Sequence, residues 1–240
     1  LRDLRHTVFK HTTQGSLFMQ RIRVWDLPTR LFHWALVACV ITLVVTGNIG
    51  GNLMTWHMRA GYAVLVLLAF RLVWGLVGGY WSRFATFVPT PARLWAYVKG
   101  TPTGTTVLGH NPLGALSVLA MLTVLGAQVA TGLVSDDEIA FSGPLITFVS
   151  SATSALATTY HKQYGKLLLL ALVVLHVCAI VYYQRVKKQR LVGAMLCGDH
   201  EVEGSVQAQA SADGLGARGL AAGIFAVCVA AVWWLVNLAP

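Results

Sequence analysis

His161 and His176 stand fifteen residues apart in HKQYGKLLLLALVVLH, on either side of a run as apolar as a bilayer interior. An ionisable side chain at that depth is expensive, and its default reading is functional. Three more histidines sit in or beside apolar stretches: His33 in RLFHWALV, His57 in TWHMRAG and His110 in GHNPLGA. Imidazole is a neutral ligand, so it can hold a metal where no carboxylate is at hand. None of the nine acidic residues falls in an apolar stretch. His6, His11 and His200 lie in polar segments and read as solvated.

Spacing turns these histidines into pairs. On one helix, fifteen residues at about 1.5 Å each separate His161 from His176 by about 22 Å. Fifteen steps of about 100° come within about 60° of four full turns, so both side chains leave the same face. One metal cannot reach both, which implies two sites stacked across the membrane. Matching by depth pairs His33 with His176 and His57 with His161. Two bis-histidine pairs suit two haem groups, with each porphyrin filling the apolar space between helices. A lone histidine could instead hydrogen-bond a neighbouring helix. Four matched in depth make that reading the weaker one.

Other polar residues have two readings each. His110 reads first as a helix-start or loop hydrogen-bonding residue; the alternative is contact with a quinone or an inner haem propionate. Arg71, in AFRLVWG, either snorkels to an interface or forms a salt bridge to an inner propionate. Arg59 and Lys162 flank the outer histidines and could serve an outer haem in the same way.

The elements that must position these residues follow from composition. The chain is 56% hydrophobic and 11% charged over 240 residues, well below the quarter or so of charged residues usual in soluble domains. Five stretches, about 31–50, 60–79, 113–134, 164–183 and 218–238, reach the roughly 20 apolar residues a span requires. Basic residues gather before the first stretch and in the second and fourth connections, and the opposite side holds only Arg59, Lys162 and Lys166. The positive-inside rule therefore puts the N-terminus in the cytoplasm and the C-terminus in the periplasm. The net charge of +9 needs no nucleic acid to explain it. The four cysteines form no CxxCH, which argues against a covalently attached haem.

Local signals fix several boundaries. Asp26 and Pro28 predict a helix start near Leu27, and Asn111-Pro112 predicts another. The turn TGNIGGN closes the first helix, and the second runs from near Trp56 to Gly78-Gly79. The connection 80–111 carries an amphipathic piece, TPARLWAYVKG. Residues 139–158 read as interfacial or re-entrant. No signal peptide is visible, and 1–18 read as an extension outside the fold, with Met19 a natural start. The expected division is a cytoplasmic segment 1–26, a four-helix unit 27–190, a flexible cytoplasmic linker 191–217 and a last transmembrane helix 218–240. The fold class is an all-α membrane protein: a four-helix haem-binding bundle plus a fifth C-terminal transmembrane helix.

The pieces RVWDLPTRLFHW, HMRAGYAVLVLLAFRLVWGLVG, GHNPLGALSVLAML and the His161/His176 helix, in this order, resemble the bacterial di-haem cytochrome b561 family and the related b-type subunits of nickel–iron hydrogenases. The resemblance covers roughly 21–190. It implies a four-helix core with two b haems held by histidines of the first, second and fourth helices. It also implies electron transfer between membrane quinone and a periplasmic partner, a c-type cytochrome or a redox enzyme subunit. The fifth span departs from that core, which leaves partner docking or homodimer contacts open as its role. The alternative weighed is a stand-alone membrane oxidoreductase passing electrons from superoxide or another small reductant to quinone. A non-redox transporter or metalloenzyme is disfavoured: there is no HExxH and no acidic residue inside a span. The localisation expected is the bacterial inner membrane.

Overall fold

The computed structural model describes residues 19–100, 108–203 and 208–238. His6, His11 and the extension 1–18 lie outside them. Helix α1 (Leu27–Ile49) starts where the sequence places it, with the Asp26 carboxylate accepting the Thr29 N–H at 2.8 Å and Pro28 in the first turn. It stops at Gly50, whose φ of 72° lies in the left-handed region that favours glycine. After a short 3₁₀ turn comes α2 (Met54–Val77), two residues earlier than expected. Two short helices, α3 (Phe84–Phe87) and α4 (Pro91–Val98), form the amphipathic connection. Helix α5 (Pro112–Leu133) is capped by Asn111, which accepts the Gly114 N–H at 2.7 Å.

The fourth long helix departs from its predicted bounds. Residues 151–158 are not re-entrant. They belong to α6 (Ser151–Thr159), which runs through a π-helical turn (Tyr160–Gly165) into α7 (Lys166–Arg185). Together these make one span of 35 residues. The Ser/Thr-rich composition of α6 masks its helical state, but the hydroxyls of Thr158 and Thr159 bond back to carbonyls four residues earlier. Helices α8 (Leu191–Cys197) and α9 (Leu215–Val236) complete the set.

Five helices are long and apolar enough to cross a membrane. Half of the α2 core window is buried, against 11–17% for the others, so α2 is the central helix. One of its sides packs with α1 and α9 through Phe32, Phe70, Trp74, Ala221, Cys228 and Val232. The other meets α5 and α7 through Val64, Leu68, Leu125 and Leu169. In lipid such contacts act by van der Waals fit, not by exclusion of water. The fifth helix is thus packed on the bundle. The outward faces of the remaining helices are apolar, as lipid contact requires.

One end of the bundle carries a cap. Strand β1 (Met19–Arg23) pairs antiparallel with β2 (Asp199–Glu203), Ile22 opposite His200. Ile22, Val24, Trp25, Leu108, Ala194 and Val202 form its apolar centre. The expectation of a flexible linker over 191–217 is therefore corrected for its described part. It contains α8 and β2, and its end is pinned: Ser211 donates to the Val24 carbonyl at 2.7 Å, and Asp213 binds Arg23 (2.6 Å), Arg218 (3.2 Å) and the Leu27 N–H (3.0 Å). Burial alone would raise the Asp213 carboxyl. The Arg218 and Leu27 hydrogen bonds and the Arg218 and Arg23 charges outweigh it and hold the group below the ordinary carboxylate range. Beneath the cap, Asp26 is fully buried yet satisfied, accepting from Thr29 N–H, Ser82 Oγ (2.6 Å) and Trp74 Nε1 (3.2 Å).

Candidate functional site

The two expected histidine pairs occupy opposite ends of the bundle. At the end away from the cap, His57 of α2 and His161 of the π-turn face each other with ring centroids 6.0 Å apart and planes at 83°. They line a cavity of about 520 Å³ between α1, α2, α5 and α7, within the usual range for cofactor sites. Each ring is oriented by backbone. The His57 Nδ1–H donates to the Leu43 carbonyl at 3.1 Å, with Thr46 Oγ1 at 3.4 Å. The His161 Nδ1–H donates to the Gln128 carbonyl at 2.8 Å. A carbonyl can only accept, so both Nδ1 atoms carry the proton and both Nε2 lone pairs remain free to bind a metal.

Glycines make room for this arrangement. A Cβ on Gly47 would sit 3.0 Å from His57 Cε1, and one on Gly132 would sit 3.0 Å from His161 Cε1. Both are tighter than ordinary contact, so α1 and α5 approach the imidazoles through these two positions. Lys162 lines the cavity as expected, and so does Lys166, which sequence reasoning does not single out. Lys162 and Lys166 are four residues apart, a spacing that is itself a signal of a shared face. Arg59 does not line the cavity. Its guanidinium lies 5.2 Å from the Trp56 ring centroid, a cation–π contact. In the loop after α5 the Asp137 carboxylate accepts the N–H groups of Phe141, Ala140 and Ile139, each at 2.9 Å, which holds it below the ordinary range. That carboxylate folds its own loop.

The capped end is built differently. His110 lies within electrostatic reach of Arg71 of α2, His176 of α7 and His33 of α1, and His33 within reach of His176. His110 is wedged between Trp25 and Phe87, at 4.8 and 4.6 Å between ring centroids. Burial pushes its imidazole down to about 3, with Arg71, His176 and His33 adding to the effect, so it is neutral at ordinary pH. Arg71 is 3% exposed and does not snorkel; its guanidinium stacks at 4.7 Å on Phe84 and 5.9 Å on Phe87. Three enclosed polar atoms here, His33 Nδ1, Arg71 Nη1 and His110 Nδ1, have no partner among the described residues. Buried donors left unpaired are costly, and a cluster of them at a histidine pair fits a group bearing acceptors.

The donor sets therefore fit haem: at the end away from the cap two imidazoles with free Nε2 atoms line an apolar cavity with lysines beside it, and at the capped end two histidines lie near a buried arginine. The family model described as prokaryotic cytochrome b561 matches residues 24–198. The probable Ni/Fe-hydrogenase B-type cytochrome subunit of Azotobacter vinelandii is 27% identical, over 74% of this chain and 87% of that one. Its counterpart from Rhizobium leguminosarum bv. viciae is 26% identical, over 78% of this chain and 91% of that one. The probable Ni/Fe-hydrogenase 1 B-type cytochrome subunit of Escherichia coli K12 is 26% identical, over 45% of this chain and 57% of its own length. No solved structure matches the chain.

Proposed function

The chain belongs to the prokaryotic cytochrome b561 family, and from that premise we propose that it carries electrons across the membrane between quinone and a periplasmic redox enzyme through two b haems. Haem bound at each histidine pair supplies a one-electron iron couple. In this reading His57 and His161 would hold the outer haem, and His33 and His176 the inner one. A haem held by two histidines would relay electrons and would not activate a substrate. The backbone carbonyls of Leu43 and Gln128 fix the outer imidazoles with Nε2 inward and raise their basicity.

Arg71 is assigned to a propionate of the inner haem. Its buried Nη1, without a partner among the described residues, supports that reading, because guanidinium pairs well with carboxylate. Lys162 and Lys166 take the same part at the outer site, ahead of Arg59, whose guanidinium lies on the Trp56 ring. The cap, with the N-terminus, is assigned to the cytoplasm on the distribution of basic residues. The relatives' names point to a nickel–iron hydrogenase, or an enzyme like it, as the periplasmic partner.

The observation that carries the proposal is the pair His57 and His161, facing each other at 6.0 Å across an apolar cavity with both Nδ1 protons committed to backbone. The test is a reduced-minus-oxidised visible spectrum of the purified protein with haem counted per chain. Sharp b-type bands and about two haems per chain are expected. A colourless, well-folded preparation made with ample haem would refute the proposal.

A further inference from the structure

Gln128 is the only carboxamide side chain in α5, and it grips His161 from two directions. Its backbone carbonyl accepts the His161 Nδ1–H at 2.8 Å, and its side-chain Nε2 donates to the His161 carbonyl at 3.0 Å. The amide orientation follows from chemistry, since only the NH₂ end can face a carbonyl. This leaves Gln128 Oε1 enclosed with no partner among the described residues, a cost that the other two bonds must justify. The gripped residue lies in the π-turn, a rare geometry concentrated at functional sites. The last residue of that turn is Gly165. A Cβ there would collide with Gln128 Oε1 and stand 2.7 Å from Tyr160 Cε1, so only glycine admits the Gln128 side chain against the helix.

We infer that Gln128 is a positioning residue: by pinning the π-turn to α5 it sets the rotation and the tautomer of His161, and thereby the electronic character of the outer haem. The inference rests on the bis-histidine assignment of that haem. His161 alone, on an unconstrained helix, would be free to rotate about χ1 and to exchange its Nδ1 partner. The Gln128 backbone carbonyl accepts the Nδ1–H, and the side-chain amide, by holding the His161 backbone against α5, keeps the ring within reach of that carbonyl. A hydrogen-bonded Nδ1–H makes the imidazole a stronger donor and favours ferric iron, so loosening the grip raises the midpoint potential.

The test uses the full chain loaded with haem. Gln128→Met keeps the length and removes the amide; Gln128→Glu keeps the shape and sets an acceptor against the His161 carbonyl. Gly165→Ala displaces Gln128 without touching it chemically. Each is expected to shift the low-spin ferric EPR signal of the outer haem, and the two uncharged changes, Gln128→Met and Gly165→Ala, to raise its midpoint potential, with the inner haem unchanged as an internal control for folding. Unchanged potential and EPR signal in all three, with two haems retained, would overturn the inference. Equal loss of both haems would mark a general scaffold residue and overturn it as well. His161→Ala separates the two levels. If that variant keeps both haems, the ligand assignment itself fails; if it loses one while the Gln128 variants behave as wild type, only the role of Gln128 falls.

Discussion

The two ends of the bundle solve the same problem in opposite ways. At the outer end the protein completes the hydrogen bonding itself: each imidazole is held by a backbone carbonyl, a glycine lies against each ring, and a cavity stands open between them. At the inner end His33 Nδ1, Arg71 Nη1 and His110 Nδ1 are enclosed and have no partner among the described residues, with aromatic rings and a folded cap above them. The difference teaches where order comes from. The outer site is preorganised by short local contacts among transmembrane helices. The inner site is closed by elements far apart in the chain, β1, β2 and the Asp213 clamp.

This contrast predicts mutations that separate the ends. The largest effect is expected from Gly132→Val, which forces branched bulk into space already within 3.0 Å of His161 Cε1. It should remove most of the outer haem, counted per chain, and leave the inner bands intact. Next, Arg71→Leu removes a buried cation and should lower the inner midpoint potential or occupancy, while a redox titration finds the outer haem unmoved. Loss of the outer haem instead would break the division.

Smaller effects concern the cap and the cavity rim. Asp213→Asn weakens a clamp whose guanidinium partners are partly in water, so about 1–2 kcal/mol of cap stability is expected to go. Limited proteolysis between α8 and α9 should read this as faster cleavage, with both haems retained. The pH dependence has a definite sign. Asp213 has a folded pKa below its unfolded value of about 3.9, so its contribution is whole above that pH and is lost as pH falls through the folded pKa. Acid proteolysis of the wild type should approach the variant's rate there. The smallest effect separates two surface cations: Lys166→Gln should lower the outer midpoint potential slightly, and Arg59→Gln should leave it unchanged.

Much of this plan is legible in the amino-acid sequence. Apolar runs of span length and the capping pairs Asp26–Pro28 and Asn111–Pro112 depend on neighbours in sequence, and the helices begin there. Pairing by depth brings His57 opposite His161, because depth along a helix is a simple count. The π-turn is not legible: no local pattern in YHKQYG marks it, and its contacts run to Gln128 of another helix. Its wider turn takes more residues per revolution, which offsets part of the 60° mismatch counted for an ideal helix. The cap is equally hidden. β1 and β2 lie some 180 residues apart, and the Gly/Ala/Ser-rich stretch beyond β2 carries no periodic signal to reveal Ser211 and Asp213 as anchors. Arg59 has the position of a cofactor cation, but its orientation around α2 gives it to Trp56.

The most direct test of the central claim is haem content per chain across histidine-to-alanine variants, taken singly and in pairs. The account predicts about one haem left in each single variant of His33, His57, His161 or His176, and the same one left when His57 and His161, or His33 and His176, are replaced together. Crossing the pairs, as in His57→Ala with His176→Ala, should remove both. A within-pair double variant that loses both haems, or a crossed one that keeps one, would contradict the account.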